Sequence, residues 1–481
     1  SGILDIASGG VGVYGDNAKI DFTVNSSTST GAIGVTAKNN SVISGNITTT
    51  GQDSVGVYVL DNSVTFNGAN IATGTKTGIP LKSSIGILLK SALGAYTMSN
   101  VTVNAQNGVG IYLDGTTPGT NLTHSGTINT VGGIGIYVDD GTTLTTGISK
   151  FNINGGTGVY IDGGTANLGT TGNLTFNFLA GGGIGVFNNG GTLNLGNNTT
   201  ATGPGSVAAT VNGDLNSSGN LNISSGGTGL LGIYDNGATV DKSISNTGNI
   251  TAVSGGIGLA AVKGATNPGF PVTINNTGTI NASGKSSTNT PSIGIYTDVA
   301  DVANTGNINV GTDGIGIYSN HNGVMTSVQN NNMNMTGTDG IGVYIKGATN
   351  GLTANNINST SSRNTGVVLE GTAGNINVGT VNLGNESVGV MATGTASAID
   401  GSITVGDSGA GKSAIGVVAN AGSSVTLAGT TAITAGDKGI GVYAEGTGTV
   451  TVTDTGNITV GTNGIYMYSK GTVLNFTGDI T

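Results

Sequence analysis

Gly311-Thr312-Asp313-Gly314-Ile315-Gly316-Ile317-Tyr318 decides the fold, because its core, aliphatic–Gly–aliphatic–aromatic, returns along the whole chain. The central glycine recurs at Gly12, Gly34, Gly56, Gly86, Gly110 and Gly135, and so on through Gly232 to Gly441. Two worn copies complete the series: Val207-Ala208-Ala209, centred on Ala208, and Ile465-Tyr466-Met467-Tyr468. Nineteen copies at a mean period of about 25 residues are the mark of a repeat architecture.

In a strand, side chains alternate between two faces, so the residues before and after the central glycine share one. They are almost all Ile or Val, as in Val55/Val57, Ile134/Ile136 and Ile315/Ile317, and this face is the expected interior. The glycine and the residue two places on then point outward. Eleven of the 13 tyrosines stand at that outward position, Tyr112, Tyr137 and Tyr160 among them. Each copy also holds a second alternating stretch, such as Gly306-Asn-Ile-Asn-Val310, and some hold a third, such as Val64-Thr-Phe66. Gly, Asn, Asp, Ser and Thr, the residues that turn a chain tightly, lie between them. Three short strands and three turns per copy predict an all-β, right-handed parallel β-helix of about 19 rungs, with one continuous segment over 1–481. Adjacent rungs of such a solenoid lie ~4.8 Å apart. Helical periodicity is absent.

Composition excludes several classes. Fourteen Lys and Arg against 24 Asp and Glu give a net charge of −10, which argues against nucleic acid as a partner. There is no cysteine, hence no disulfide and no thiolate metal site, which suits a secreted chain kept unfolded during export. No apolar run is long enough to span a bilayer as a helix. The chain starts and stops inside repeats without an evident cap, so a fragment of a longer passenger, or ends covered by neighbouring molecules, is expected.

Two departures from the period predict protruding loops. One is near 72–84, with Lys76, Pro80 and Lys82. The other is near 264–291, with Pro268-Gly269-Phe270-Pro271 and Lys285 to Pro291, where proline cannot donate to a strand ladder. Pro268, Phe270, Pro271 and Lys285 are therefore candidate partner contacts, followed by the 76–82 loop.

Gly406-Asp-Ser-Gly-Ala-Gly-Lys412-Ser413 spells a phosphate-binding loop, but that chemistry needs a helix after it, and a repeat strand, Ile415 to Val418, follows instead. Gly10-Val-Gly-Val-Tyr-Gly15 fits a dinucleotide fingerprint only because it is one copy of the repeat. A calcium-binding nonapeptide reading of Gly132 to Ile136 fails, since Tyr137 stands where an aspartate is required.

Asp114, Asp139 and Asp162 follow the central glycine by four residues in three consecutive copies, so their carboxylates stack at rung spacing. They are the candidate residues for a cation or a basic group; the plainer reading is a turn column splayed into water. Tyr112, Tyr137 and Tyr160 are candidates for a surface that stacks on sugars or a partner protein, against the plainer reading of rings stacked on their own copies. Catalysis is not expected and no cofactor is implied: the two histidines, His124 and His321, are far apart and Arg363 is the sole arginine.

The Gly-[Ile/Val]-Gly-[Ile/Val]-Tyr phrase, coupled to Asn-Thr-Gly-Asn-Ile-Asn-Val-Gly-Thr at 304–312 and Asp-Thr-Gly-Asn-Ile-Thr-Val-Gly-Thr at 454–462, resembles the passenger repeats of large fusobacterial autotransporter adhesins. The resemblance covers essentially all 481 residues as a style of repeat, and no binding residue of that family maps onto a position here. It implies a type V secreted passenger at the cell surface, held to the bacterial outer membrane by a C-terminal β-barrel outside this sequence. Its implied partners are protein or glycan receptors on host cells or other bacteria. The expected function is thus a structural and adhesive stalk. The alternatives are a self-associating surface-layer or filament protein, and a glycan-active β-helix enzyme or phage tailspike.

Overall fold

The computed structural model describes residues 3–21, 23–26, 30–73, 84–90, 94–115, 120–170, 172–196, 198–224, 226–235, 240–371, 375–393, 397–420, 423–427, 431–447, 449–452, 458–471 and 473–476. Every described element is a strand, and no helix is long and apolar enough to cross a membrane. The strands pair in parallel, each with the strand one repeat away in sequence, which makes the fold a parallel β-helix. Forty-eight strands at three per turn correspond to about sixteen turns, fewer than the nineteen copies of the phrase. The shortfall arises because Asp301–Val310 and Ser397–Val405 each run through two arms of a turn unbroken, and Ile315–Met335 through three.

The chain forms two compact units, Ser1–Ile223 with Gly227–Gly232, and Ser224–Gly226 with Ile233–Thr481. In the first, the phrase strands stack Val57 on Ile87, Ile111, Ile136, Val159, Val186 and Ala208 in turn. In the second, Leu259 is followed by Ile295, Ile317, Val343, Val367, Val390, Val417 and Val442. A further interior column comes from another arm: Ile47, Ile71, Val103, Ile128, Phe151 and Phe176 in unit 1, and Ile250, Ile280, Ile308, Met333 and Ile357 in unit 2. All are buried, and each large aliphatic side chain so buried contributes roughly 1.5–3 kcal/mol.

The phrase itself folds differently from its simple alternation. A Cβ on the central glycine would point inward: at Gly135 it would lie 2.5 Å from the carbonyl oxygen of Gly158 and 2.7 Å from Cγ2 of the core residue Ile128. The contact recurs in unit 2, where Gly342 faces the Gly366 oxygen at 2.5 Å. The glycine is thus required by close approach of the next turn, and it faces the core rather than solvent. The strand registers skip the glycines, so alternation slips there. The residue after the glycine is buried in nearly every copy (Val13 is half-buried), whereas the one before it is half-buried in several (Ile134, Ile184, Ile341, Ile440) and buried in others (Val55, Val109, Ile315).

Two copies are re-centred. Ser206 pairs with Ile184 and Ala208 with Val186, so Val207 and not Ala208 takes the glycine's place. Around Gly232, Leu230 and Tyr234 are the fully buried residues while Leu231 and Ile233 are half-exposed. Gly232 is therefore not a central glycine, and Tyr234 is a core residue rather than an outward one.

Of the 72–84 excursion, residues 74–83 lie outside the described residues. The 264–291 excursion is not a single loop. Val272–Asn276 and Thr279–Ser283 are wall strands within it, pairing with Lys242–Asn246 and Asn249–Val253. Only 264–271 and 284–292 leave the wall, the latter closed by an antiparallel bridge between Lys285 and Pro291.

Candidate interaction surface

Parallel in-register stacking puts every copy of a residue beside the next, so one outward tyrosine per turn becomes a column. Tyr112 stacks on Tyr137 at 4.8 Å between ring centroids, Tyr137 on Tyr160 at 5.2 Å, and Tyr160 on Phe187 at 5.2 Å. In unit 2, Tyr296, Tyr318 and Tyr344 stack at 5.5 and 4.8 Å. Stacking covers the ring faces and leaves the edges, so Tyr137 is only 8% exposed although it points away from the core. The tyrosines chosen as a stacking surface for a ligand stack first on one another.

The aspartates lie at the ends of the same strands. Tyr112 donates its hydroxyl to Asp139 Oδ2 at 3.3 Å, an oxygen that also accepts the Gly115 amide at 3.3 Å. Tyr137 donates to Asp162 Oδ2, and Asn189 Nδ2 donates to Asp162 Oδ1 at 2.9 Å. Asp114 pairs with Lys90 at 3.5 Å. The carboxylates therefore do not stack as bare like charges: a phenol of the preceding turn ties each of Asp139 and Asp162 into the ladder. Burial, then the neighbouring Asp139, pushes the Tyr112 phenol up; burial, then the hydrogen bond to Asp162, does so for Tyr137. Both stay protonated donors at physiological pH. Among the described residues, no group of three or more His, Asp or Glu is arranged to hold a metal ion.

The proline-loop candidates separate into two places. Phe270 is half-buried and lies edge-on to buried Tyr234, ring centroids 6.4 Å apart, so it folds back over the wall. The Pro271 carbonyl accepts the Lys242 amide at 3.0 Å, and Pro268 is half-buried at the loop's outer part. Lys285 belongs to the second loop and pairs with Asp313 at 2.8 Å. That loop overhangs a cleft of about 480 Å³ lined by Gly226, Gly255, Ser254, Ser286, Thr288 and Thr290. Ser286 Oγ accepts the Thr288 and Thr290 amides at 3.2 and 3.1 Å, which gives the loop an internal frame. The phosphate-loop spelling carries no helix: Lys412 lies 3.7 Å from Asp339, which Arg363 holds at 2.7 Å, and Ile415–Ala419 is a strand.

Two groups of polar residues escaped the sequence reading. In unit 2 the fully buried Asn246, Asn276, Asn304 and Asn330 form a ladder in which each Nδ2 donates to the next Oδ1 at 2.8, 2.7 and 2.8 Å. The second proton of each of the first three goes to the backbone oxygen two residues on. The recurring Asn-Thr-Gly at 246, 276 and 304 was the available signal. In unit 1, His124 is fully buried; its Nδ1 meets Ser149 Oγ at 3.1 Å, while Nε2 has no partner. Burial pushes its pKa down to about 4, so the ring is neutral at pH 7.

No protein-family profile matches the chain, and no curated protein matches it.

Proposed function

We propose that the chain is an adhesive stalk segment of a surface-displayed, autotransporter-type passenger, whose partners are protein or glycan receptors on host or bacterial cells. The observation that carries this reading is how the repeat spends its polar groups. Phenols, carboxylates and amides are matched to the adjacent turn, as in Tyr112–Asp139 and Asn276–Asn304, which suits a scaffold whose distinctive surface lies in its irregular loops. The loops at 264–271 and 284–292 interrupt that regularity and are the places to look for a receptor contact. The resemblance in repeat style supports the same reading.

The test is binding of the purified chain to candidate cells, compared with a variant in which 265–270 and 286–290 become short Gly-Asn turns and the wall strands are kept. Binding that survives both replacements unchanged rejects the loops as the contact; absence of binding to every cell type rejects the adhesive role. A self-associating surface protein is the second reading, favoured by exposed apolar side chains within the repeats at Val131, Leu179 and Val240. Light scattering that stays monomeric at high concentration rejects it.

A further inference from the structure

On the outer face of the arm that buries Met333, the repeat stops spending its polar groups on itself. Asn334, Asn358 and Asn382 each follow a fully buried residue, Met333, Ile357 and Val381, so alternation turns all three outward, and all three are exposed. They pair in register across three successive turns, a row about 10 Å long at the spacing of parallel strands. Up to this row the outward asparagines form a ladder: Asn309 Nδ2 donates to Asn281 Oδ1 at 2.8 Å, and Asn334 Nδ2 to Asn309 Oδ1 at 3.3 Å. On the corresponding arm of unit 1 the ladder from Asn104 through Asn129 and Asn152 to Asn177 is closed, at 2.8, 2.7 and 3.2 Å. In unit 2 it stops at Asn334. Among the described residues no donor reaches Asn334 Oδ1, and the side-chain amides of Asn358 and Asn382 make no hydrogen bond.

The ladder stops where a cleft of about 450 Å³ opens, lined by these three amides with Ser359, Thr360 and Ser361 beside them. That volume is in the range of small-ligand sites. We propose that this cleft binds a neutral, extended β-1,4-linked oligosaccharide lying along the stacked turns. The inference rests on the reading of the chain as an adhesive stalk and names the chemistry of one receptor.

None of the lining residues is ionisable, and Arg363, two residues beyond Ser361, is held by Asp339 at 2.7 Å, so the site offers no charge for an ion to meet. What it offers is amides and hydroxyls. A free carboxamide presents N–H donors beside an acceptor, and neighbouring sugar hydroxyls, each both donor and acceptor, match that pair. The row repeats once per turn, and an extended β-1,4-linked chain advances one sugar over nearly the same length, so successive sugars meet successive asparagines. An α-1,4-linked chain coils and loses that register. No aromatic ring lines the cleft, so there is no stacking platform and the expected affinity is weak, on the order of millimolar.

Cellotriose is the probe, titrated against the full chain by saturation-transfer NMR. Saturable binding is expected, with maltotriose and trigalacturonate each binding more weakly. Asn358→Ala should weaken cellotriose about fivefold, the loss of one hydrogen bond, and adding Asn382→Ala should remove saturable binding. Asn177→Ala, on the closed ladder of unit 1, should leave it unchanged. The Asn358 and Asn382 side chains are exposed and hold no neighbour, so both variants keep the fold, which circular dichroism checks. No saturable binding of cellotriose, equal affinity of Asn358→Ala and the parent chain, or maltotriose or trigalacturonate binding as tightly as cellotriose would overturn the proposal. Cell binding by the parent chain without cellotriose binding rejects this site and leaves the adhesive reading standing; cellotriose binding without cell binding does the reverse.

Discussion

The two units build the same phrase strand but finish the same interior corner in opposite ways. At the last inward residue of the preceding arm, unit 1 stacks Phe66, Met98, His124 and Thr146, whereas unit 2 stacks Asn246, Asn276, Asn304 and Asn330. The apolar corner excludes water and tolerates size differences, but it strands the one titratable ring placed in it. The amide corner is a chain: within it Asn276 and Asn304 each accept from one neighbour and donate to the next, Asn246 only donates, and Asn330 only accepts, its buried Nδ2 left without a partner. A column of identical polar groups is thus stable where a single polar group is a liability. The outer surfaces do not share this contrast: a phenol reaches a carboxylate in both units, Tyr137 to Asp162 and Tyr344 to Glu370, and a lysine pairs with a carboxylate in both, Lys90 with Asp114 and Lys346 with Glu370.

What both units share should be the most costly to change. Gly135→Ala and Gly342→Ala each drive a Cβ to 2.5 Å from the next turn's carbonyl oxygen, and each should cost about 4 kcal/mol. Gly411→Ala, with nothing within 4 Å, should be neutral in the same urea denaturation series. A loss below about 1 kcal/mol at Gly135 would mean the turns separate readily.

The corners differ in their response to acid. His124 is depressed to about 4 from 6.5, so the folded protein resists a proton that the unfolded chain accepts. Stability from this group is complete above pH 6.5 and falls by up to about 3 kcal/mol as pH drops to 4. His124→Leu should flatten that part of the stability–pH curve for unit 1, read by urea midpoints or amide exchange across 122–154. An unchanged slope would place the acid sensitivity elsewhere.

Converting the amide corner toward the apolar one should be worse than the reverse. Asn276→Leu strands the donor of Asn246 and the acceptor of Asn304, at about 2–3 kcal/mol. Asn330→Leu removes only the ladder's final acceptor, at about 1 kcal/mol. Equal costs would show that the amides do not act as a chain. The smallest effect belongs to the surface staple: Asp162→Asn should cost no more than about 1 kcal/mol and lower the Tyr137 phenol pKa, followed by ultraviolet titration.

Much of the surface was readable as columns but not as contacts. The spacing that brings Tyr112, Asp114, Tyr137 and Asp139 together is visible in the chain. That a phenol reaches the carboxylate of the following turn depends on side-chain reach and is visible only in space. Phe270 had the look of a protruding contact because prolines flank it; its ring instead covers Tyr234, a residue itself misplaced by reading Gly232 as the repeat centre.

The period, the Ile and Val content of the phrase and the turn residues between strands by themselves determined that this chain is a parallel β-solenoid. The alternation in the phrase marks one buried face per strand, and a repeat of about 25 residues allows few ways to enclose that face other than a coil of stacked turns. Only the tertiary structure decided which way the glycine faces, which copies shift by a residue or more, and how the polar interior is satisfied. Those outcomes turn on contacts between residues one repeat apart, where a neighbouring carbonyl at 2.5 Å outweighs the local rule of alternation.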